Sequence, residues 1–575
     1  MSSAAAVSAA TDTDGGALTH KQILTILSGL LLGMFLAALD QMIVATAIRT
    51  IGDDLNGLSA QAWVTTAFLI TSTITTPLYG KLSDIYGRKP LFLFAIAVFI
   101  LGSALCGLST SMYMLAGFRA FQGLGAGGLF SLVFAIIGDI VAPRERARYQ
   151  GYFMAVFATS SVLGPVVGGF FAGHDSIFGI TGWRWIFWIN VPIGFVALIV
   201  VNRVLHIAHQ RRNHRIDWQG ALALVVGLVP LLVVAEQGRE WGWGSGGAIA
   251  CYLIGLIGLV AFVRVEFLAG DEALIPLRLF GIHNFAVGSA QSFAIGIGLF
   301  GGMASIPLYL QIVKGASPTK AGLLVLPMVL GIMFASLVAG QVTSRTGRYK
   351  LFPIIGSAML VLGLLLMSTV GADTSLVKTD LFMLIFGAGL GLNMQTVILA
   401  MQNAVSYRDI GVATSSATFF RQVGGTLGTA VFLSILFTAA PGRIASATRD
   451  AAATPAYQAA ANAHPDQLHL IKSGAGSLND TSFIQRLDDV LAYPFKVGFS
   501  SAMDLVFITG AIVLVAAFVL SLFLKEVPLR TMSGVQAAAA EAAKAAGAAG
   551  PDALTPATAA VGSAAADERA GRSRR

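Results

Sequence analysis

Charge is scarce in this chain. Only 11% of its 575 residues are Asp, Glu, Lys or Arg, against roughly 25% in soluble domains. A soluble protein could not be covered with so little charge, so a soluble enzyme and a nucleic-acid-binding domain are excluded despite the net charge of +8. There are two cysteines, Cys106 and Cys251, both inside apolar runs, which excludes a disulfide scaffold and leaves no redox or metal pair. No GxxxxGK[ST] phosphate loop is present. ATP hydrolysis, a cofactor and an enzymatic activity are therefore not expected. No histidine lies deep in an apolar run, which leaves carboxylates as the groups that could carry protons. The first twenty residues are small and polar with acidic Asp12 and Asp14, unlike a signal peptide, so the first apolar segment reads as a retained span.

What the chain has instead is apolar length. Hydrophobic residues make up 55%, with 65 glycines, and the apolar residues fall in blocks of about twenty, the length of a membrane-crossing helix. The fold class expected is an all-α membrane protein with fourteen transmembrane helices. They start near Ile23, Ala60, Leu91, Met112, Tyr149, Trp185, Trp218, Ala248, Asn284, Ala321, Leu351, Thr379, Gly411 and Phe499. An even count puts both termini on one side. Nineteen basic residues lie in short segments on that side and six in the opposite loops, which predicts cytoplasmic termini. Abundant Ala and an excess of Arg over Lys point to a high-GC bacterium, hence to its inner (plasma) membrane.

The domains read as a tail over 1–22, a six-helix bundle over 23–206, a linker with two helices over 207–283 and a second six-helix bundle over 284–528. A disordered tail over 529–575 follows. The second bundle contains an outer loop at 440–498, whose end (483–495) reads equally as an interfacial helix or a plain linker. The two bundles repeat one another. GKLSDIYGRKPL at 80–91 returns as GQVTSRTGRYKL at 340–351, and Gly123, Gly125 and Gly127 return as Gly387, Gly389 and Gly391. Halves of this kind, related about the membrane normal, are the architecture of secondary transporters.

Two charges sit deep in spans. Asp40 lies about 25 Å into span 1 at 1.5 Å per residue, and Arg119 in span 4 is at nearly the same depth. Neither should face lipid, where a central charge costs roughly 2.5–3.5 kcal/mol, and pairing is the natural relief. The pair is either purely structural or a site that protons and substrate contest, because burial favours a neutral carboxyl while a neighbouring Arg favours the ionised one. Gly80, Asp84, Gly87 and Arg88 occupy the turn between spans 2 and 3, where Gly permits the turn and the charges can bond helix ends. An insertion signal is the plainer reading. Ser344 replaces Asp84 in the second copy, so the two turns should differ. Gly164, Pro165, Gly168 and Gly169 in span 5 break a helix hydrogen bond and allow close approach, as generic small-residue packing also would. Glu236, Arg421 and Asp504 are possible secondary charges, and Gln291, Gln311, Asn393 and Gln395 either line a cavity or bond between helices.

Six motifs stand in order at span positions: LDQMIVATAI (39–48), GKLSDIYGRK (80–89), LAGFRAFQGLGAG (115–127), VLGPVVGG (162–169), WRWIFWINVPIG (183–194) and FFRQVGGTLG (419–428). In these residues the chain resembles the major facilitator superfamily, and within it the fourteen-span drug/proton antiporters of the EmrB/QacA type. The resemblance implies proton coupling at Asp40 and Arg119, a cytoplasmic gate at the 80–88 turn, and an antiporter motif at 164–169. It also implies efflux of small hydrophobic, cationic compounds in exchange for protons across the lipid bilayer, with no cofactor, metal or nucleic acid. An envelope partner is not specified. The alternatives are an exporter of one endogenous metabolite or lipid, and a non-transporting receptor on the same scaffold.

Overall fold

The computed structural model describes residues 19–55, 61–146, 149–205, 217–474, 484 and 486–531. The expected tails fall outside the described residues up to 18 and from 532. Fourteen helices of 15 or more residues run through the described chain. They are α1 (His20–Asp54), α2 (Gln61–Tyr86), α3 (Arg88–Cys106), α4 (Met112–Ile140), α5 (Gln150–Ala172), α6 (Asn190–Val204) and α7 (Trp218–Trp241). Then come α8 (Gly246–Ala269), α9 (His283–Ile312), α10 (Leu326–Thr346), α11 (Leu351–Met367), α12 (Leu376–Ala404), α13 (Ile410–Ala452) and α14 (Asp489–Phe523). Among the described residues, twelve segments are long and apolar enough to cross a membrane. Helix α11, with 17 residues, is apolar but short. Helix α2 is less apolar because six threonines and the 80–86 segment dilute its apolar residues, a composition that suits its position between α4 and α13.

In the first half α2 and α3 pack on α4, and α1 packs on α5 and α6. The second half repeats this arrangement, with α10 and α11 on α12 and with α9 on α13 and α14. The repeat extends to single contacts. A methyl group placed on Gly123 would stand 2.6 Å from the Phe68 carbonyl oxygen, and one on Gly387 would overlap that of Met328. One on Gly125 would overlap Ala95, and one on Gly389 would overlap Gly356. Gly168 lies against Ile43 of α1 as Gly428 lies against Ile297 of α9, so VGGTLG in α13 is the counterpart of VLGPVVGG in α5. Glycine at these crossings lets two backbones meet without a side chain between them. Gly123→Ala should therefore lower the stability of the purified protein by about 1–3 kcal/mol through overpacking. Gly117→Ala on the same helix, where nothing lies within 4 Å, should be neutral or slightly stabilising in thermal unfolding, because Ala is the better helix former.

Helices α7 and α8 form a hairpin, and α7 docks on α2 and α13. Leu253, Ile254, Leu256, Ile257, Val260 and Val263 of α8 are exposed, as a lipid-facing band would be. The segment expected as a loop at 440–498 is largely helical. Helix α13 continues past Pro441 to Ala452, two short helices follow (Pro455–Ala463 and Pro465–Gly474), and α14 begins at Asp489, ten residues before its expected start. Residues 443–452 include four Ala and contain no Gly or Pro, so nothing in them stops the helix.

Candidate transport site and gate

Asp40 and Arg119 meet. The Arg119 Nη1 donates to Asp40 Oδ2 at 2.5 Å, with side chains 2% and 0% exposed. Two amides complete the carboxylate's partners: Gln122 Nε2 donates to Asp40 Oδ1 at 3.1 Å and Asn190 Nδ2 at 2.7 Å. Gln122 Oε1 also accepts from Arg119 Nη1 at 2.7 Å, so one residue ties both members of the pair. Asn190 is held in turn by Ser103 Oγ at 3.0 Å, which donates to the Phe187 carbonyl. The Phe68 ring lies 4.0 Å from the Arg119 Cζ, a cation–π contact. Five helices, α1, α2, α3, α4 and α6, thus converge on a single charge pair. Two polar atoms of the cluster, Arg119 Nε and Asn190 Oδ1, have no hydrogen-bond partner. Protonating Asp40 would take away the counter-charge of Arg119 and so loosen the pair.

The 80–88 turn is built around Arg88. It bonds Asp84 at 2.6 Å, Asp139 at 2.7 Å and the Ser83 hydroxyl. Gly87, with φ at 97°, makes the reversal into α3, a conformation that side chains rarely adopt. The turn rests on the first residues of α13: a methyl group on Gly411 would stand 2.7 Å from Asp84 Oδ1, and one on Gly80 would overlap Ser415. A carboxylate at a helix N-terminus is favourable because the amides there point at it. The second copy differs as expected. Ser344 carries no charge, and its hydroxyl donates to the Gln341 carbonyl within its own helix.

Two further ties close the same face. Arg146, 5% exposed, bonds Gln402 of α12, while its Nη2 donates to the Gly138 and Val141 carbonyls at 2.8 and 3.0 Å. Gln402 Nε2 in turn donates to Thr414 Oγ1 at 2.6 Å. Burial pushes Arg146 down to about 10, opposed by Asp139, which leaves it charged at neutral pH. The segment after α8 supplies the third tie. Its Arg278 grips Asp409 at 2.9 Å, and the Asp271 carbonyl accepts from Lys81 Nζ at 2.8 Å.

In α5, Gly164 lies against Met42 and Gly168 against Ile43. Pro165 faces Gly322, which precedes α10, and so touches the other half. Gly169 lies on the same helix, half-buried. Arg421 is half-buried in α13 and Asp504 half-buried in α14, with Arg443 as a neighbouring charge. Glu236 is on α7, its side chain outside the described residues. Gln291 reaches Asn393 at 3.4 Å and Ser357 at 3.5 Å, an interhelical network across α9, α11 and α12.

The sequence alone does not single out Gln122, Asn190, Asp139 and Arg146. Gln122 was within reach, standing three residues after Arg119 on the same helical face. In sequence, Arg146 reads only as one of the nineteen basic residues that set the topology.

The family model of the Major Facilitator Superfamily matches residues 30–429. Multidrug transporter protein MdtP of Bacillus subtilis is 34% identical over 88% of this chain and 93% of its own. Multidrug resistance protein 3 of the same organism is 35% identical over 89% and 98%. Among solved structures, the proton:xylose symporter XylE aligns with a TM-score of 0.55 over 87% of this chain and 95% of that one; at 14% identity, this likeness concerns the fold alone. With a buried charge pair, a glycine-built turn and duplicated six-helix halves, this chain belongs to the major facilitator superfamily.

Proposed function

We propose that the protein is a multidrug efflux transporter that expels small hydrophobic compounds in exchange for protons. The observation that carries the reading is the buried Asp40–Arg119 pair, held by amides from α4 and α6, which a proton can break and a returning charge can restore. All fourteen helices span the bilayer, α2 and α11 included. The halves are 23–206 and 284–528, joined by the α7–α8 linker, and the face carrying the Arg88 turn is cytoplasmic, together with both termini, in a bacterial inner membrane. The contacts at that face, Arg88 with Asp84, Arg146 with Gln402 and Arg278 with Asp409, suit a state closed to the cytoplasm. Each pH unit across the membrane supplies about 1.36 kcal/mol per proton, so no nucleotide is required.

The test is transport by purified protein in liposomes with an acidic lumen. Compounds of a hydrophobic panel should accumulate inside as protons leave, and a protonophore should abolish the accumulation. No accumulation of any compound, or accumulation that survives the protonophore, would remove the reading.

A further inference from the structure

A small cavity lies between the two halves beside Arg146. Phe134, Arg146 and Phe153 line it from the first half, and Gln395 and Gln402 of α12 line it from the second. It has room for one body of about the size of a water molecule. Two of its lining side chains carry a polar atom without a partner. Among the described residues, Arg146 Nε and Gln395 Nε2 are buried and make no hydrogen bond, and each residue is 5% exposed. Gln395 stands seven residues, two turns, before Gln402, so both amides lie on one stripe of α12.

Both of these atoms are N–H donors. The amide beside them is already in use: Gln402 Oε1 accepts from Arg146 Nη1, and Gln402 Nε2 donates to Thr414. A water in the cavity would find donors for its oxygen but no free side-chain acceptor for its hydrogens, whereas an anion accepts from every side. The charge balance points the same way. Arg146 is bonded by one amide and two backbone carbonyls, and among the described residues by no carboxylate. Asp139, the acid whose charge reaches it, is paired with Arg88 at 2.7 Å. A buried guanidinium without a counter-ion of its own attracts an anion strongly, because little water screens it. The Phe134 and Phe153 rings, 5.2 Å apart between centroids, make the neighbouring wall apolar. The size of the space suits a monatomic ion and not a polyatomic one.

We propose that this cavity binds a monatomic anion, chloride in the cell, between Arg146 of one half and Gln395 of the other, and that the ion is part of the closure. It can be held from both sides only while the halves are together, so its binding favours the closed state by its differential affinity. The inference rests on reading this face as a gate and is independent of what the protein transports.

The test uses the full-length purified protein carrying Ser415→Cys in a Cys251→Ser background, because Ser415 is 1% exposed against Gly80. Labelling by an impermeant maleimide and the melting temperature are followed as sodium chloride replaces sodium gluconate at constant ionic strength. Chloride should slow labelling several-fold and raise the melting temperature, both saturably. Bromide should act as chloride does, and sulfate should not. Gln395→Met removes one donor at similar volume and should demand roughly tenfold more chloride for the same effect. Gln395→Glu places a carboxylate beside Arg146 and should give slow labelling with no chloride present. Equal labelling rates and melting temperatures in both salts would leave the cavity to water and overturn the proposal. A chloride effect that sulfate shares, or that Gln395→Met leaves unchanged, would place the ion at exposed pairs such as Arg278 with Asp409 and overturn it equally. Should Gln395→Glu fail to fold, the chloride titration of Gln395→Met decides alone. If Ser415→Cys labels fast in every salt, the face is open and the ion's role in closure falls, while the melting titration still decides whether the ion binds. If no compound accumulates in liposomes, the efflux reading falls and the labelling titration stands by itself.

Discussion

Asp40→Asn should bring gradient-driven accumulation to background while leaving the protein in the membrane and its melting temperature within a few degrees of the parent. The amide oxygen can accept from Arg119 where Oδ2 now does, at 2.5 Å. The new NH2 group would face Gln122 and Asn190, and Asn190 Oδ1 lacks a partner, so a flip of that amide supplies an acceptor. Arg119 then loses its counter-charge. That loss is tolerable because a neutral residue opposite Arg119 is what the proposed cycle visits each time Asp40 takes a proton. Substrate exchange without a gradient, which needs no proton transfer, should persist. Unchanged gradient-driven transport would remove Asp40 from the coupling. Loss of both activities in a folded protein would make it a conformational residue instead. Arg119→Gln is the harsher change, because it strands a carboxylate that is 0% exposed, and breaking a buried pair from one side costs about 3–5 kcal/mol. Adding Asp40→Asn to it should recover part of the melting temperature, and a strictly additive double variant would show that the two residues do not interact.

The sequence carries the class and the charged skeleton of the site, and the reasons are physical. Apolar blocks of bilayer length have few alternatives, and a charge at Asp40's depth must find an opposite one at the same depth, which Arg119 offers. The shell around that pair is less legible. Asn190 meets Asp40, and Ser103 meets Asn190, only once α3, α6 and α1 are set in register, and a polar residue in an apolar span can bond to many neighbours. Arg146 looks like any basic loop residue until Gln402, 256 positions away in sequence, is placed beside it. Hydropathy also misplaces helix ends. Helix α13 runs through Pro441 and ends at Ala452, shortly before Pro455 and well beyond the point where the chain turns polar. Helix α2 shows the opposite failure: its threonines serve contacts inside the bundle, such as Thr76 with Gln422 at 3.1 Å, and read as weak membrane character.

Asp84→Asn should shift the protein toward opening of the face that carries the turn. Asp84 contributes twice, by pairing with Arg88 at 2.6 Å and by lying against the first turn of α13 at Gly411. The second contribution crosses between the halves, and it exists only while they are closed there. A loss of about 1–3 kcal/mol would change the open-to-closed ratio roughly 5- to 150-fold. Closure should not vanish, because Arg146 still holds Gln402 and Arg278 still holds Asp409. Of these ties, the Arg278 pair is half exposed and so the most sensitive to salt. The reporter is a cysteine at Ser415, which is 1% exposed against Gly80 in the closed state. In a Cys251→Ser background, an impermeant maleimide should label Ser415→Cys several-fold faster once Asp84 is neutral, while turnover falls. Ser344→Ala removes no charge, and the hydroxyl it deletes bonds within its own helix, so it should leave the labelling rate nearly unchanged. Equal rates with and without Asp84, or equal effects at the two turns, would reduce the first turn to a topology signal and leave closure to Arg146 and Arg278.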